Sequence, residues 1–231
     1  MRRYLASCLS VLLVFSGCAS YTARPAPAPK IAAMPFSRIE NSVMVAVDPY
    51  IQQDRQKEVF DAELKGVLPL YLLVENRGER ELSLERSAIV LELPDGRQIS
   101  PVYSVTVARM LERDLTLSAS DFQGIGGGVI LAIPVYIAIR IAEKRATEAR
   151  VADYMNKEFQ DVVLNKNASA HGFVYFMPPT GTLWSTKARL ALRFVDKTDG
   201  TSFVIHVPVR SESGFFKEGP ADAKKEEPTS E

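Results

Sequence analysis

Cysteine and histidine are scarce in this chain, two of each in 231 residues, and the shortage closes off several kinds of chemistry. A Cys/His zinc site and a disulfide framework both need more thiols and imidazoles than are present. Net charge is missing too: 28 basic residues balance 28 acidic ones. The chain therefore lacks the electrostatic footprint of a protein that wraps nucleic acid, and nucleic acid is not an expected partner. No Gly-x-Ser-x-Gly elbow announces a nucleophilic serine. The glycines at 124 and 126–128 fail the dinucleotide fingerprint, because Val129 stands where the final Gly belongs and no strand feeds the loop. His171 and His206 sit at or in strand-like stretches without Cys partners and read as exposed or rim residues. No catalytic, cofactor-binding or metal-binding residue is assigned, no cofactor is expected, and an enzyme is not the expected class. The length suits one globular domain with terminal appendages.

What is present begins at the N-terminus. Arg2 and Arg3 precede a mostly apolar run from Tyr4 to Phe15, and small residues follow at Ser16-Gly17-Cys18. That is the layout of a signal peptide, too short to span a bilayer. Phe15-Ser16-Gly17-Cys18 resembles a bacterial lipobox, although Phe15 departs from the Leu usual at its first position. Leu5-Ala6-Ser7-Cys8 matches the tetrapeptide better but leaves no apolar region before it, so Cys18 is the expected attachment site, with cleavage after Gly17. An unmodified thiol behind an ordinary secretory signal, or a retained anchor, are the alternatives. The resemblance implies a cysteine carrying three acyl chains, palmitate among them, which exceeds the two-signal threshold for stable anchoring. It also implies sorting: Ala19 and Ser20, not Asp, follow the cysteine, as in lipoproteins of the outer membrane that face the periplasm. Loss of Arg2 and Arg3 with the signal (1–17) leaves a net charge of −2 and no second thiol for a disulfide.

Residues 18–37 read as a lipidated tether, because Pro25, Pro27, Pro29 and Pro35 alternate with Ala and favour extended polyproline II. At about 3.1 Å per residue, the stretch from Ala19 to Lys30 would hold the folded part roughly 35 Å from the lipid. At the other end Lys217–Glu231 holds no large apolar residue, so 213–231 is expected to be a disordered tail. The folded domain is expected over 38–212.

Within it the apolar residues mostly alternate, the period of half-buried strands. Expected strands cover Val43–Val47, Val67–Glu75, Leu82 to Leu84, Ala88–Leu93, Gly172–Phe176, Ala188–Val195 and Ser202–Pro208. Asn76-Arg77-Gly78 and Pro94-Asp95-Gly96 supply turns, and Asp199-Gly200 makes the last pair a hairpin. Short strands at this spacing predict a mainly β fold, an immunoglobulin-like antiparallel β-sandwich. A helical and hydrophobic insertion interrupts it at about 103–163. One helix is expected from Ser104 to Leu117, and a second over Glu143–Val163 with Val151, Tyr154, Met155, Phe159 and Val162 on one side. Lys144, Arg145 and Arg150, interleaved with Glu143 and Glu148, read as a solvated face with local ion pairs.

Between those helices lies the most apolar stretch of the mature chain, 124–142. A buried helical hairpin packed on the sandwich, a membrane contact through Val129, Ile130, Leu131, Ile133, Ile137 and Ile141, and a buried strand all fit its pattern. Pro134 and Arg140 weigh against a spanning helix. Trp184, the only tryptophan, sits in a loop between strands, where it either closes the edge of the core or anchors a protein partner.

The segments Gly66–Gly96 and His171–Val209, with the strand Gly172-Phe173-Val174-Tyr175-Phe176 and the turn Glu75-Asn76-Arg77-Gly78, resemble the immunoglobulin-like sandwich of bacterial envelope lipoproteins in which a helical insertion precedes a Gly-Phe-x-Tyr-Phe strand. The resemblance brings no activity with it. The expectation is a non-enzymatic, membrane-anchored envelope lipoprotein that serves as a structural or protein-interaction module. Its partners would be the bilayer through acylated Cys18 and an envelope protein. The alternative is a membrane-active protein that inserts residues 124–142 into a bilayer.

Overall fold

The computed structural model describes residues 21–27, 34–111, 129–178 and 188–209, with the backbone alone for 129–140 and 142. The signal peptide, Cys18, residues 112–128, Trp184 and the C-terminal tail expected over 213–231 lie outside the described residues.

Two antiparallel sheets form the body. The first runs in the order β1 (Phe36–Glu40), β2 (Val43–Pro49), β3 (Leu68–Asn76), β8 (Ser169–Phe176). In the second, the order is β6 (Gln98–Ile99), β5 (Ile89–Glu92), β9 (Ala188–Asp196), β4 (Leu82–Leu84), β7 (Val162–Leu164), and β10 (Ser202–Val209) pairs with β9. β4 and β5 pair with successive stretches of β9, at Asp196–Val195 and Leu192–Arg189, and are separated by the single 3-10 turn Arg86–Ala88.

The turns follow from local chemistry. Asn41 and Ser42 both take positive φ, 50° and 60°, in the two-residue loop joining β1 to β2, as a type I′ hairpin requires. Gly200, with φ 73°, closes the β9–β10 hairpin. Asn76 is the fixed point of the β3–β4 turn. It is buried, its amide nitrogen donates to Arg80 O (2.7 Å) and Leu164 O (2.9 Å), and its Oδ1 accepts from Gly78 N (3.0 Å).

Alternating side chains of both sheets meet in one shared core, with Leu70, Leu72 and Val74 of β3 facing Leu190, Leu192 and Phe194 of β9. Each such side chain stabilises the fold by about 1.5–3 kcal/mol through burial. β3 is apolar on its other face as well, because a second core, built on Tyr71, Phe173 and Tyr175, is covered by helices. That double burial explains why β3 reads as a near-continuous apolar run instead of an alternation.

Among the described residues, three helices form the covering layer: α1 (Gln53–Phe60), α2 (Ser104–Met110) and α3 (Val129–Lys157). The sequence pattern missed α1, since its burial rests on Gln56, Val59 and Phe60 alone. Gln56 is held by hydrogen bonds to Tyr50 O (2.7 Å) and from Leu64 N (2.8 Å), a use of a polar residue that periodicity does not report.

α3 corrects the reading of the insertion in three ways. The apolar stretch and the polar amphipathic stretch are one helix, continuous through Pro134, where the ring removes only one backbone hydrogen bond. The strand alternative for 129–142 is therefore not realised. The helix also stops at Lys157, not at Val163: Phe159 enters the core between the sheets, and Val162 belongs to β7. Finally, Met155, expected on the apolar side, is 51% exposed, whereas Tyr154 is fully buried.

Candidate functional site

The chemically dense region is the helical layer over the first sheet. Phe60, the last residue of α1, is its centre, with ring centroids 4.8 Å from Phe173, 5.1 Å from Tyr154 and 5.9 Å from Tyr175. The carbonyls ending α1 have no partners within their own helix, and α3 supplies them. Tyr154 Oη donates to Phe60 O at 2.9 Å, and Lys157 Nζ donates to Val59 O at 2.7 Å. A cation at that end also meets the negative pole of the helix dipole. Lys157 is buried beside the Phe60 ring and is paired with Asp153, one helical turn earlier.

Asp153 has a second donor, the phenol of Tyr21. Tyr21 packs edge-on against Tyr154, with centroids 6.4 Å apart, and the Arg150 guanidinium lies 5.3 Å from its ring. Arg24 then pairs with Asp61 at 2.9 Å, and Tyr71 Oη donates to Pro27 O at 2.8 Å. Residues Tyr21–Pro27 are thus fastened to the domain at both ends. Of the expected tether 18–37, the described part Tyr21–Pro27 therefore lies on the helical layer, while 18–20 and 28–33 lie outside the described residues. Arg150 likewise leaves the solvated face assigned to it, whereas Lys144 and Glu148 form the expected one-turn pair at 3.9 Å.

Burial raises the phenols of this region. Tyr71 is pushed up to about 12, first by desolvation and then by Tyr50. Tyr21 is driven well above its ordinary value by burial and by bonding, as a neutral donor, to Asp153. Tyr154 and Tyr175 move the same way, chiefly through desolvation.

A polar knot joins the two ends of the insertion. Glu158, just past α3, accepts from Ser104 N (3.0 Å) and Ser104 Oγ (2.7 Å) at the start of α2 and from Arg86 Nη1 (3.2 Å). Arg86 also stacks 3.7 Å over Tyr103. A cavity of about 410 Å³, lined by Glu63, Leu64, Lys65, Val67, Val107 and Met110, opens between the α1–β3 connection and α2.

The two histidines are on different sheets. His171 Nδ1 lies 3.0 Å from Tyr71 Oη on the first, and His206 Nε2 lies 3.5 Å from Glu92 Oε2 on the second. In β10 Ile205 and Val207 are buried and His206 is on the opposite side. Of the residues singled out for membrane contact, Val129, Ile130, Leu131, Ile133 and Ile137 lie in the first half of α3, and Ile141 is 49% exposed. Cys18 and Trp184 fall outside the described residues. Sequence reasoning missed Tyr21, Asp153 and Lys157. The four-residue spacing of the last two was visible, but nothing local indicated that it would be buried beneath α1.

No protein-family model matches the chain, and no curated protein matches it. Two solved structures are similar, each at 10% identity over 74% of this chain. One is a putative lipoprotein (ycdA) from Bacillus subtilis, with TM-score 0.35, of which the chain spans 38%. The other is the yjhA protein from Bacillus subtilis, with TM-score 0.38 and 95% of its length covered.

Proposed function

We propose that this chain is a non-enzymatic lipoprotein of the bacterial envelope, held in the outer membrane by acylated Cys18 and facing the periplasm, whose immunoglobulin-like sandwich works by contact with envelope structure or a protein partner. The observation that carries the reading is the docking of Tyr21–Pro27 on the helical layer. Tyr21 lies three residues after Cys18, and three residues reach at most about 11 Å. An acyl chain on that cysteine therefore fixes where the domain stands and which layer is next to the lipid.

The sandwich class is supported by pairing order. β2–β3–β8 in one sheet and β10–β9–β4/β5 in the other correspond to the A-B-E and G-F-C neighbours of a constant-type domain, with β4 and β5 as halves of a broken C strand. The insertion then falls between C and E. A contact role is supported by how the buried charges are used: Lys157 and Asp153 cap α1 and hold Tyr21, and Glu158 ties α2 to Arg86. Trp184 is our candidate for the partner-contacting aromatic.

Two measurements test the proposal. Mass spectrometry of the mature N-terminus should find an acylated cysteine at position 18, and gradient fractionation should place the native protein with outer-membrane markers. An unacylated terminus, or native protein in the soluble fraction, overturns it. Crosslinking in intact cells should recover an envelope protein, with a lower yield for Trp184→Ala.

A further inference from the structure

We propose that the apolar half of α3, Val129–Ala142, is a second membrane contact, lying in the same leaflet that holds Cys18, so that the domain is fixed to the bilayer at two points. The inference rests on the anchored reading above and adds to it an orientation and a lipid-facing element.

Chemistry, length and position each contribute. Residues 129–139 read Val-Ile-Leu-Ala-Ile-Pro-Val-Tyr-Ile-Ala-Ile, and the first charge is Arg140. A helix apolar all the way round has no side suited to water and belongs in apolar surroundings. At 1.5 Å per residue this charge-free part is about 16 Å long, roughly half of a 30 Å hydrocarbon core. That length suits a helix dipping into one leaflet, and among the described residues no helix is long and apolar enough to cross a membrane. Beyond it the helix turns polar, with Lys144 and Arg145 exposed, as a segment passing from lipid to water should.

Position identifies lipid as the occupant. α3 is a single helix, so its apolar half cannot be placed independently of its other half. That other half carries Arg150, Asp153 and Tyr154, the residues that hold Tyr21. Cys18 is three residues from Tyr21. Tyr21 and the apolar helix therefore belong to one rigid element, and Tyr154 is about 20 Å from Ile141 along the axis. Ile141, at the inner end of the apolar half, is 49% exposed. A bilayer brought to Cys18 is the apolar phase that this geometry puts within reach.

The test uses the acylated full-length mature protein. Cys8 leaves with the signal and acylation blocks the sulfur of Cys18, so Ile133→Cys provides the only free thiol. It is labelled with a polarity-sensitive fluorophore and reconstituted into phosphatidylethanolamine/phosphatidylglycerol vesicles. The label should shift to the blue and be quenched by lipids carrying a nitroxide on the acyl chain, whereas a label at Met155→Cys should do neither. A label at 133 that reports water in vesicles overturns the inference. So does one already blue-shifted in the lipid-free Cys18→Ser chain, which would mean that the domain itself or a second copy covers the helix. Vesicle flotation of the Cys18→Ser chain should fall by about tenfold or more on adding Ile133→Asp and Ile137→Asp, since a charge is costly inside the hydrocarbon; unchanged flotation contradicts the inference. Failure of the anchored reading shows separately, as an unacylated terminus in the mass spectrum.

Discussion

Gly172→Ala should destabilise the domain, and the structure gives the size of the effect. Gly172 lies on β8 where the chain leaving α3 crosses over the strand. A Cβ built there would stand 2.6 Å from Phe159 N, 2.7 Å from Phe159 Cα and 2.9 Å from the Glu158 carbonyl carbon. Ordinary contact begins at about 3.4 Å, so the crossing segment must retreat by roughly 0.8 Å. It has little freedom to do so. Phe159 is fully buried in the core between the sheets, and its N–H donates to Phe173 O at 2.9 Å. Overpacking at such a site costs about 1–3 kcal/mol, and straining that hydrogen bond adds about 1 kcal/mol. The stiffer unfolded chain offsets about 0.4–1 kcal/mol. A net loss of about 1–3.6 kcal/mol follows, equivalent to a fall in Tm of roughly 2–14 °C for a domain of this size. Urea and thermal unfolding of the Cys18→Ser chain measure it. Gly200→Ala is the control: its φ is 73° but no atom lies within 4 Å of the added Cβ, so only backbone strain of about 1 kcal/mol is expected. If Gly172→Ala costs no more than Gly200→Ala, the close crossing at β8 is refuted.

Other outcomes follow from the same geometry. Asn76→Ala removes three hydrogen bonds that tie the β3–β4 turn to Leu164, Arg80 and Gly78, and should cost about 2–4 kcal/mol in urea unfolding; a change under about 0.5 kcal/mol would contradict that role. Lys157→Met leaves the Val59 carbonyl without its donor and Asp153 without its cation, with the Tyr21 phenol still bonded to it, and should destabilise by about 3 kcal/mol, while adding Asp153→Leu should recover part of the loss. A double variant no better than the single would argue against a coupled pair. Alkali should unfold the protein. Burial raises Tyr21, Tyr71, Tyr154 and Tyr175 above their unfolded value of 10.0, so their contribution is complete below pH 10 and is lost as pH rises above it, through about 12 for Tyr71 and higher still for the other three. Tyrosinate absorbance and circular dichroism should then change together above pH 10; tyrosines that all ionise near pH 10 with the fold intact would contradict the burial. Tyr21→Ala should release the N-terminal segment, seen as faster amide exchange over Tyr21–Pro27 with little change in the sheets, and unchanged exchange would show that Tyr21 is not the fastening.

The strands were legible because their signal is local. β2, β5, β8, β9 and β10 each carry an apolar period set by the pleat, β3 stands out as a near-continuous apolar run, and Asp199-Gly200 marked its own hairpin. β1 was not expected, although Asn41 is suited to the positive φ of its turn; its side chains are mostly exposed, so no apolar period identifies it. α1 escaped for a similar reason, being buried through one amide and two terminal apolar residues.

Residue order alone determined the signal-like N-terminus, the alternation that makes strands and the apolar character of 129–142, since each depends only on neighbours along the chain. Tertiary structure decided that Asp153 and Lys157 turn inward, that Glu158 ties down the insertion, and that Tyr21–Pro27 lies on the helical layer. Those outcomes depend on partners more than fifty residues away in the chain for Glu158 with Ser104 and more than a hundred for Tyr21 with Asp153. Whether a polar group is solvated or buried is fixed by what the fold brings to face it, and no local period encodes that.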